Sequence, residues 1–206
     1  MKKTLICNVK MNKPPEACAY NGGDRSLPVS DSEVCYPVTA FLEKTLEAGD
    51  ELHVIMLAKM DSTGCYKENI ALCEKELENV AALNGAVFTS ETVFSPFEEN
   101  QQTHGELMLN IIERVPEGAT LLVDMTYGPK DLAIVEFSAL NFLEDFLNCE
   151  IDNILYGQTT FVGGVPTDGK LCDMAALYYI SSIMNKVKTD DSDRAVKMLK
   201  VLLGRA

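Results

Sequence analysis

Positive charge is scarce in this sequence: 18 lysines and arginines stand against 31 acids, for a net charge of −13 at pH 7. So acidic a surface repels extended nucleic acid, whose binding rests on many phosphate contacts from Lys and Arg. A long DNA or RNA partner is therefore excluded, whereas a small anion held by a few local donors is not. Histidine is scarcer still. Only His53 and His104 are present, neither at a ligand-like spacing, so no metal is read from the chain. The seven cysteines (Cys7, Cys18, Cys35, Cys65, Cys73, Cys149 and Cys172) are odd in number and include no Cys-x-x-Cys pair. They read as reduced thiols acting as small hydrophobes, which implies a cytoplasmic setting. No N-terminal apolar run resembles a signal peptide, and no stretch is long enough to span a bilayer, so no membrane partner is expected. Gly-x-Gly-x-x-Gly, Walker A and Gly-x-Ser-x-Gly patterns are missing too. Their absence argues against dinucleotide oxidoreductases, nucleoside triphosphatases and serine hydrolases, and no cofactor is implied.

What is present is an alternation of apolar runs and helical patterns. Of 206 residues, 47% are hydrophobic, enough for a full core in one domain with at most a small appendix. Strands are expected at 4–9, 51–58, 86–93, 120–125 and 151–156. Helical spacing lies between them, marked by Val38, Phe41, Leu42 and Leu46, then Ile70, Cys73, Leu77 and Val80, then Leu107, Ile111 and Val115. The order predicts an α/β fold: a Rossmann-like, mainly parallel sheet of five or six strands with helices on both faces, the fourth strand beside the first. Residues 1–165 would form that domain and 166–206 a C-terminal helical extension, with helices at 171–185 and 193–203. The segment 11–33 reads as a polar loop, with Asn21-Gly22-Gly23-Asp24-Arg25 either plain surface or a lid. The helix of residues 132–147 is apolar nearly all round, so it is expected to be buried on a second side, by a subunit interface or by the C-terminal helices.

The most informative stretch is Leu121-Leu122-Val123-Asp124-Met125-Thr126-Tyr127-Gly128-Pro129-Lys130. A buried strand ends on a polar turn and a helix follows at once, with Gly128 for the tight turn and Pro129 suited to the first helical position. Ligands of open α/β sheets sit beyond the carboxyl ends of the strands where strand order reverses. If the first and fourth strands are neighbours, Lys10, Met11 and Asn12 meet Thr126, Tyr127, Gly128 and Lys130 there, and Gln158, Thr159 and Thr160 follow the fifth strand. Two cations, hydroxyls, amides and a helix N-terminus suit phosphate and ribose. Duller roles stay open: Asp124 as acceptor for turn N–H groups, Thr126 as a helix cap, Lys130 as a solvated first-turn lysine.

The segment from Leu121 to Lys130 resembles the Asp-x-Thr-His-Gly segment of CRISPR-associated Rossmann-fold (CARF) proteins. The later Ile151-Asp152-Asn153-Ile154-Leu155-Tyr156-Gly157 is similar to the family's following strand, and the pattern from Asp173 onward is similar to its closing helical pair. The resemblance implies a homodimeric antiviral-defence sensor of cyclic oligoadenylate, a tetra- or hexa-adenylate ring lying across the two-fold axis on the loops after strands one and four. It matches Asp124, Thr126 and Gly128 to the motif and places Lys130 where the family often has a basic residue. Tyr127 stands in place of the usual His, and Lys10-Met11-Asn12 in place of a Gly/Thr-rich turn. Some family members cleave the ring. Slow, metal-independent cleavage assisted by Lys130 and Thr126 is one expectation, and signalling to a separate effector protein is another. The competing readings are a nucleotide or sugar-phosphate hydrolase on the same fold, and a regulatory subunit or sensor domain of a larger effector.

Overall fold

A computed structural model describes residues 1–23, 27–187, 189 and 191–204. Asp24 and Arg25 of the glycine-rich segment thus lie outside the described residues. Eight strands are found among them: β1 (Lys2–Asn8), β2 (Cys18–Gly22), β3 (Glu33–Val34), β4 (Glu51–Met60), β5 (Val87–Pro96), β6 (Thr120–Asp124), β7 (Glu150–Val162) and β8 (Val165–Asp173). Six helices accompany them: α1 (Pro37–Thr45), α2 (Tyr66–Asn84), α3 (Gln101–Ile112), α4 (Lys130–Phe146), α5 (Ala175–Lys186) and α6 (Ser192–Leu202).

β1 is the centre of the fold because both of its faces are apolar. Leu5 and Cys7 face one helical layer, Ile6 faces the other, and all three are at most 1% exposed. It pairs in parallel with β4 on one side and β6 on the other, with Leu5 opposite both Val54 and Leu122. The strand order is β3-β2-β8-β7-β6-β1-β4-β5, so chain order reverses at β1. α1 and α2 cover the face of Leu5 and Cys7, while α3, α4 and Tyr178 of α5 cover the face of Ile6. The chain is therefore an α/β protein with a Rossmann-like, mostly parallel sheet, and its fourth apolar run lies beside its first.

Three strands go beyond the sequence expectation. β8 occupies residues placed in the helical extension. It folds back on β7 through Gly163 and Gly164, both at positive φ (62° and 87°), the backbone that a two-residue hairpin turn asks for. β2, inside the stretch expected to be loop, then adds in parallel to β8, with Tyr20 opposite Gly169. A Cβ on Gly169 would stand 2.6 Å from the Ala19 carbonyl oxygen, so glycine alone lets the two backbones approach. Helix α5 accordingly starts at Ala175 rather than near residue 171.

The apolar helix of residues 132–147 is α4. Leu132, Val135, Ala139, Leu140 and Leu143 point into the core, and Tyr178 of α5 packs edge-on to Phe137 at 5.6 Å. The stripe Lys130, Ile134, Ser138, Phe142 and Phe146, spaced four residues apart, stays exposed, with Ile134 69% and Phe146 70% accessible. Helix α6 buries none of its residues. No helix of the described residues is long and apolar enough to cross a membrane, and all seven cysteines are free.

Candidate functional site

The residues expected at the site lie where β1 and β6 end, at the reversal of strand order. Asp124 closes β6 and is 1% exposed. Its Oδ1 accepts the Thr126 N–H at 2.9 Å and the Thr126 hydroxyl at 2.5 Å, and that hydroxyl in turn accepts the Gly157 N–H at 2.8 Å. Asp124 and Thr126 thus form a clamp that folds the β6 turn and pins it to β7, the local side-chain bonding that Asp and Thr offer at turns. Burial pushes the Asp124 carboxyl up to about 6, against the pull of the Thr126 bonds. Thr126 does not cap α4. Pro129, in extended backbone, takes that place and Lys130 is the first helical residue, one position later than expected. Gly128 has φ 97°, and a Cβ there would meet Leu132 Cδ2 at 2.7 Å.

Pro37 and the clamp leave little room for a side chain at Gly157. A Cβ at residue 157 would lie 2.5 Å from Pro37 Cγ and 3.2 Å from Thr126 Cγ2. Gly157→Ala is expected to cost about 1–3 kcal/mol, the usual range for overpacking, read as a lower midpoint in urea unfolding with the slope unchanged.

Tyr127 turns inward, donating its hydroxyl to the Cys35 carbonyl at 2.8 Å and meeting Tyr36 edge-on at 5.4 Å. Burial, with the charges of Tyr20 and Asp124, holds its phenol far above the usual range, so it stays neutral. Over its ring, 5.3 Å from the centroid, sits the Lys10 ammonium. Partial burial, and then repulsion from Lys13, lower the Lys10 pKa.

Two cavities share Lys10. One, of about 260 Å³, is lined by Lys10, Thr126, Tyr127, Gln158 and Thr159, together with Glu16, Tyr20 and Tyr156. The other, of about 370 Å³, is lined by Lys10, Met11, Asn12, Lys13, Phe97, Gly128 and Pro129. Lys130 lines neither. It borders a third groove of about 450 Å³, with Tyr127, Gly128, Phe137, Tyr156 and Leu177 among its walls. Asp124 lines none of the three and reaches the cavities only through Thr126. The structure therefore gathers Lys10, Met11, Asn12, Thr126, Tyr127, Gly128, Gln158 and Thr159 at one sheet edge and sets Lys130 on its outer lip.

Sequence reasoning missed Tyr20, Lys13, Phe97 and Asp61. Tyr20 reaches Thr159 Oγ1 at 3.1 Å from β2, and Asp61 Oδ2 accepts the Asn12 N–H at 3.3 Å, holding Asn12 in left-handed backbone (φ 61°). The alternation Cys18 in, Ala19 out, Tyr20 in was the available signal for β2.

The fold also assembles a donor group that chain spacing did not reveal. His104 Nε2 stands 3.0 Å from Glu99 Oε2 and 3.1 Å from Asp131 Oδ2, and the three donor atoms lie within 4.8 Å of one another. Beside Asp131, at 3.5 Å, is the ammonium of Lys59, a lysine only 2% exposed. Lys59 already brings a positive charge to Asp131, and the group links β4, α3 and α4 through that ion pair and the polar contacts of His104.

The chain matches no known protein-family pattern, and no curated protein matches it in sequence.

Proposed function

We propose that the protein is a CARF-type sensor that binds a cyclic oligoadenylate across a homodimer. The observation that carries the reading is Lys10. It is half-buried at the reversal of strand order and belongs to both cavities, and partial burial is the main cause that lowers its pKa, so an anionic ligand would stabilise its charged form. Phe97 and Tyr156, 50% and 44% exposed, offer faces on which adenines can stack. Gln158, Thr159 and Asn12 supply hydrogen-bond partners for ribose and phosphate. Each cavity is at or below the low end of the roughly 300–1,000 Å³ typical of small-molecule pockets, too small for a ring of four or six nucleotides. Two copies about a two-fold axis provide the room, and the exposed stripe Ile134, Phe142 and Phe146 on α4 is the apolar surface we assign to that contact.

Calorimetry with cyclic tri-, tetra- and hexa-adenylate beside linear controls tests the reading. A ring is expected to bind, and Lys10→Ala to weaken it at least about tenfold, since a charge-assisted hydrogen bond is worth roughly 1.5–3 kcal/mol. Light scattering is expected to give twice the 22.7 kDa of one chain. Binding of no ring, or a 22.7 kDa monomer at micromolar concentration with and without ligand, returns the case to a nucleotide or sugar-phosphate hydrolase. Cleavage is a separate readout. The Thr126 hydroxyl is committed to Asp124 and Gly157, which leaves Lys130 and Lys10 as the groups free to stabilise developing charge. Incubating the ring with excess protein in EDTA distinguishes the two activities. Linear products ending in 2′,3′-cyclic phosphate mark a ring nuclease, and an intact ring after many hours marks a sensor that leaves output to a separate effector.

A further inference from the structure

Asn8, the last residue of β1, and Glu136, in the second turn of α4, meet beneath the site on the face covered by α3 and α4. They are 2% and 1% exposed. Asn8 Nδ2 donates to Glu136 Oε2 at 2.9 Å. Asn8 Oδ1 and Glu136 Oε1 are left over, both buried and both without a hydrogen-bond partner among the described residues. If Glu136 were ionised, both would be acceptors, and two neighbouring buried acceptors with no donor carry the full desolvation cost of each. One proton removes the conflict. Placed on Glu136 Oε1, it turns that atom into a donor for Asn8 Oδ1, and the amide and the acid then exchange two hydrogen bonds in a closed ring.

We infer that Glu136 is a neutral carboxylic acid paired reciprocally with Asn8, and that it acts as a positioning residue fixing the end of β1, two residues before Lys10, against α4. Its surroundings agree. Among the described residues no lysine, arginine or histidine forms an ion pair with Glu136. Lys59 of β4, on the same face, is engaged with Asp131, and His104 of α3 with Glu99 and Asp131. The titratable neighbours are Cys7 of β1 and Asp124 of β6, on the opposite face of the sheet, and the charge of Asp124 disfavours a second one. Burial first, then Asp124, push the Glu136 carboxyl up to about 8, against the Asn8 bond.

Glu136 shapes the frame of the proposed site without touching its ligand, so its role is tested with no ligand present. In protein carrying ¹³C at glutamate side-chain carboxyls, one resonance is expected to keep its protonated shift at neutral pH, to titrate near pH 8, and to vanish in Glu136→Gln. In ¹⁵N spectra the amides of Met11, Asn12 and Gly128 are expected to shift with the same midpoint in the wild type and to stay put in Glu136→Gln, whose amide can reproduce both hydrogen bonds. Wild-type glutamates that all titrate below about pH 5.5, within a unit or so of the ordinary value, would overturn the neutral acid. A titrating Glu136 that leaves those loop amides unmoved would overturn the positioning role. Both outcomes can be read on the wild-type chain alone, with assignment through Asn8→Ala if Glu136→Gln does not fold. Neither depends on whether an adenylate ring binds.

Discussion

Glu76→Ala is expected to lower the unfolding free energy by about 2–4 kcal/mol, and the melting temperature by roughly 5–12 °C for a chain of this size. The Glu76 carboxylate reaches from α2 to the start of α1, where it accepts the Cys35 N–H at 2.9 Å, the Tyr36 N–H at 2.9 Å and the Thr39 hydroxyl at 2.7 Å. Helix α1 has no side-chain cap of its own, because its N-cap residue is Tyr36. A neighbouring helix thus does the capping that Ser or Asp would do locally. Hydrogen bonds to a charged group contribute about 1.5–3 kcal/mol each when buried, and the sum is discounted here because Glu76 is partly accessible. The loss should extend further than α1. Tyr36, fully buried, donates to the Asn69 carbonyl at 3.0 Å and holds the edge of Tyr127, over which Lys10 rests. Glu76→Gln, which keeps one acceptor oxygen, should fall between. A midpoint within about 1 °C of wild type, well inside the shift that 1 kcal/mol produces, would refute this account of how α1 starts.

The second large effect is a dependence of stability on pH. An acid whose folded pKa lies above its unfolded value binds its proton more tightly in the folded state. Its contribution is therefore complete below the unfolded value and is lost as pH rises through the folded one. Glu136 spans 4.5 to about 8 and Asp124 spans 3.8 to about 6, so both weaken the fold with rising pH, and between about pH 6 and 8 Glu136 acts alone. At about 1.36 kcal/mol for each pH unit between its unfolded and folded values, Glu136 is worth ~3–5 kcal/mol across its window. Asp50 works in the opposite sense: hydrogen bonding to the N-terminal ammonium lowers its pKa, so its contribution is lost only in acid. Urea unfolding at intervals from about pH 5 to 9, which brackets that window, should show wild type losing stability steadily relative to Glu136→Gln. Parallel curves for the two proteins would contradict a buried neutral acid.

The centre of the fold was legible in the sequence because its causes are local. Leu5 to Cys7 and Leu121 to Val123 are short, apolar on both faces and bounded by turn chemistry, so their pairing followed from the alternation of elements alone. β2 and β8 were not legible, because what makes them strands lies elsewhere in the chain. Tyr20 is a strand residue because Gly169 lets a backbone approach, and the largely polar residues 165–173 are held as a strand by their antiparallel pairing with β7. The polar turn pointed to the sheet edge where Lys10, Thr126 and Gly128 gather, but not to the contacts made within it. That the Thr126 hydroxyl accepts from Gly157 depends on a contact 31 residues away. One signal was available and passed over. Glu136 stands four residues after Leu132 and seven before Leu143, on the inner stripe of α4, and a carboxylate at such a position calls for a partner.

The pairing of Tyr20 with Gly169 also bears on how the chain assembles. These residues are 149 positions apart, and synthesis at about 5–20 residues per second separates their appearance by roughly 7–30 s. β2 spends that interval with no parallel neighbour, and β1 in turn waits for Thr120–Asp124 to complete its second side. Pairings this distant in sequence make for slow closure of the sheet. The segment carrying Tyr20 is thus made well ahead of Gly169, the partner that fixes it in the sheet.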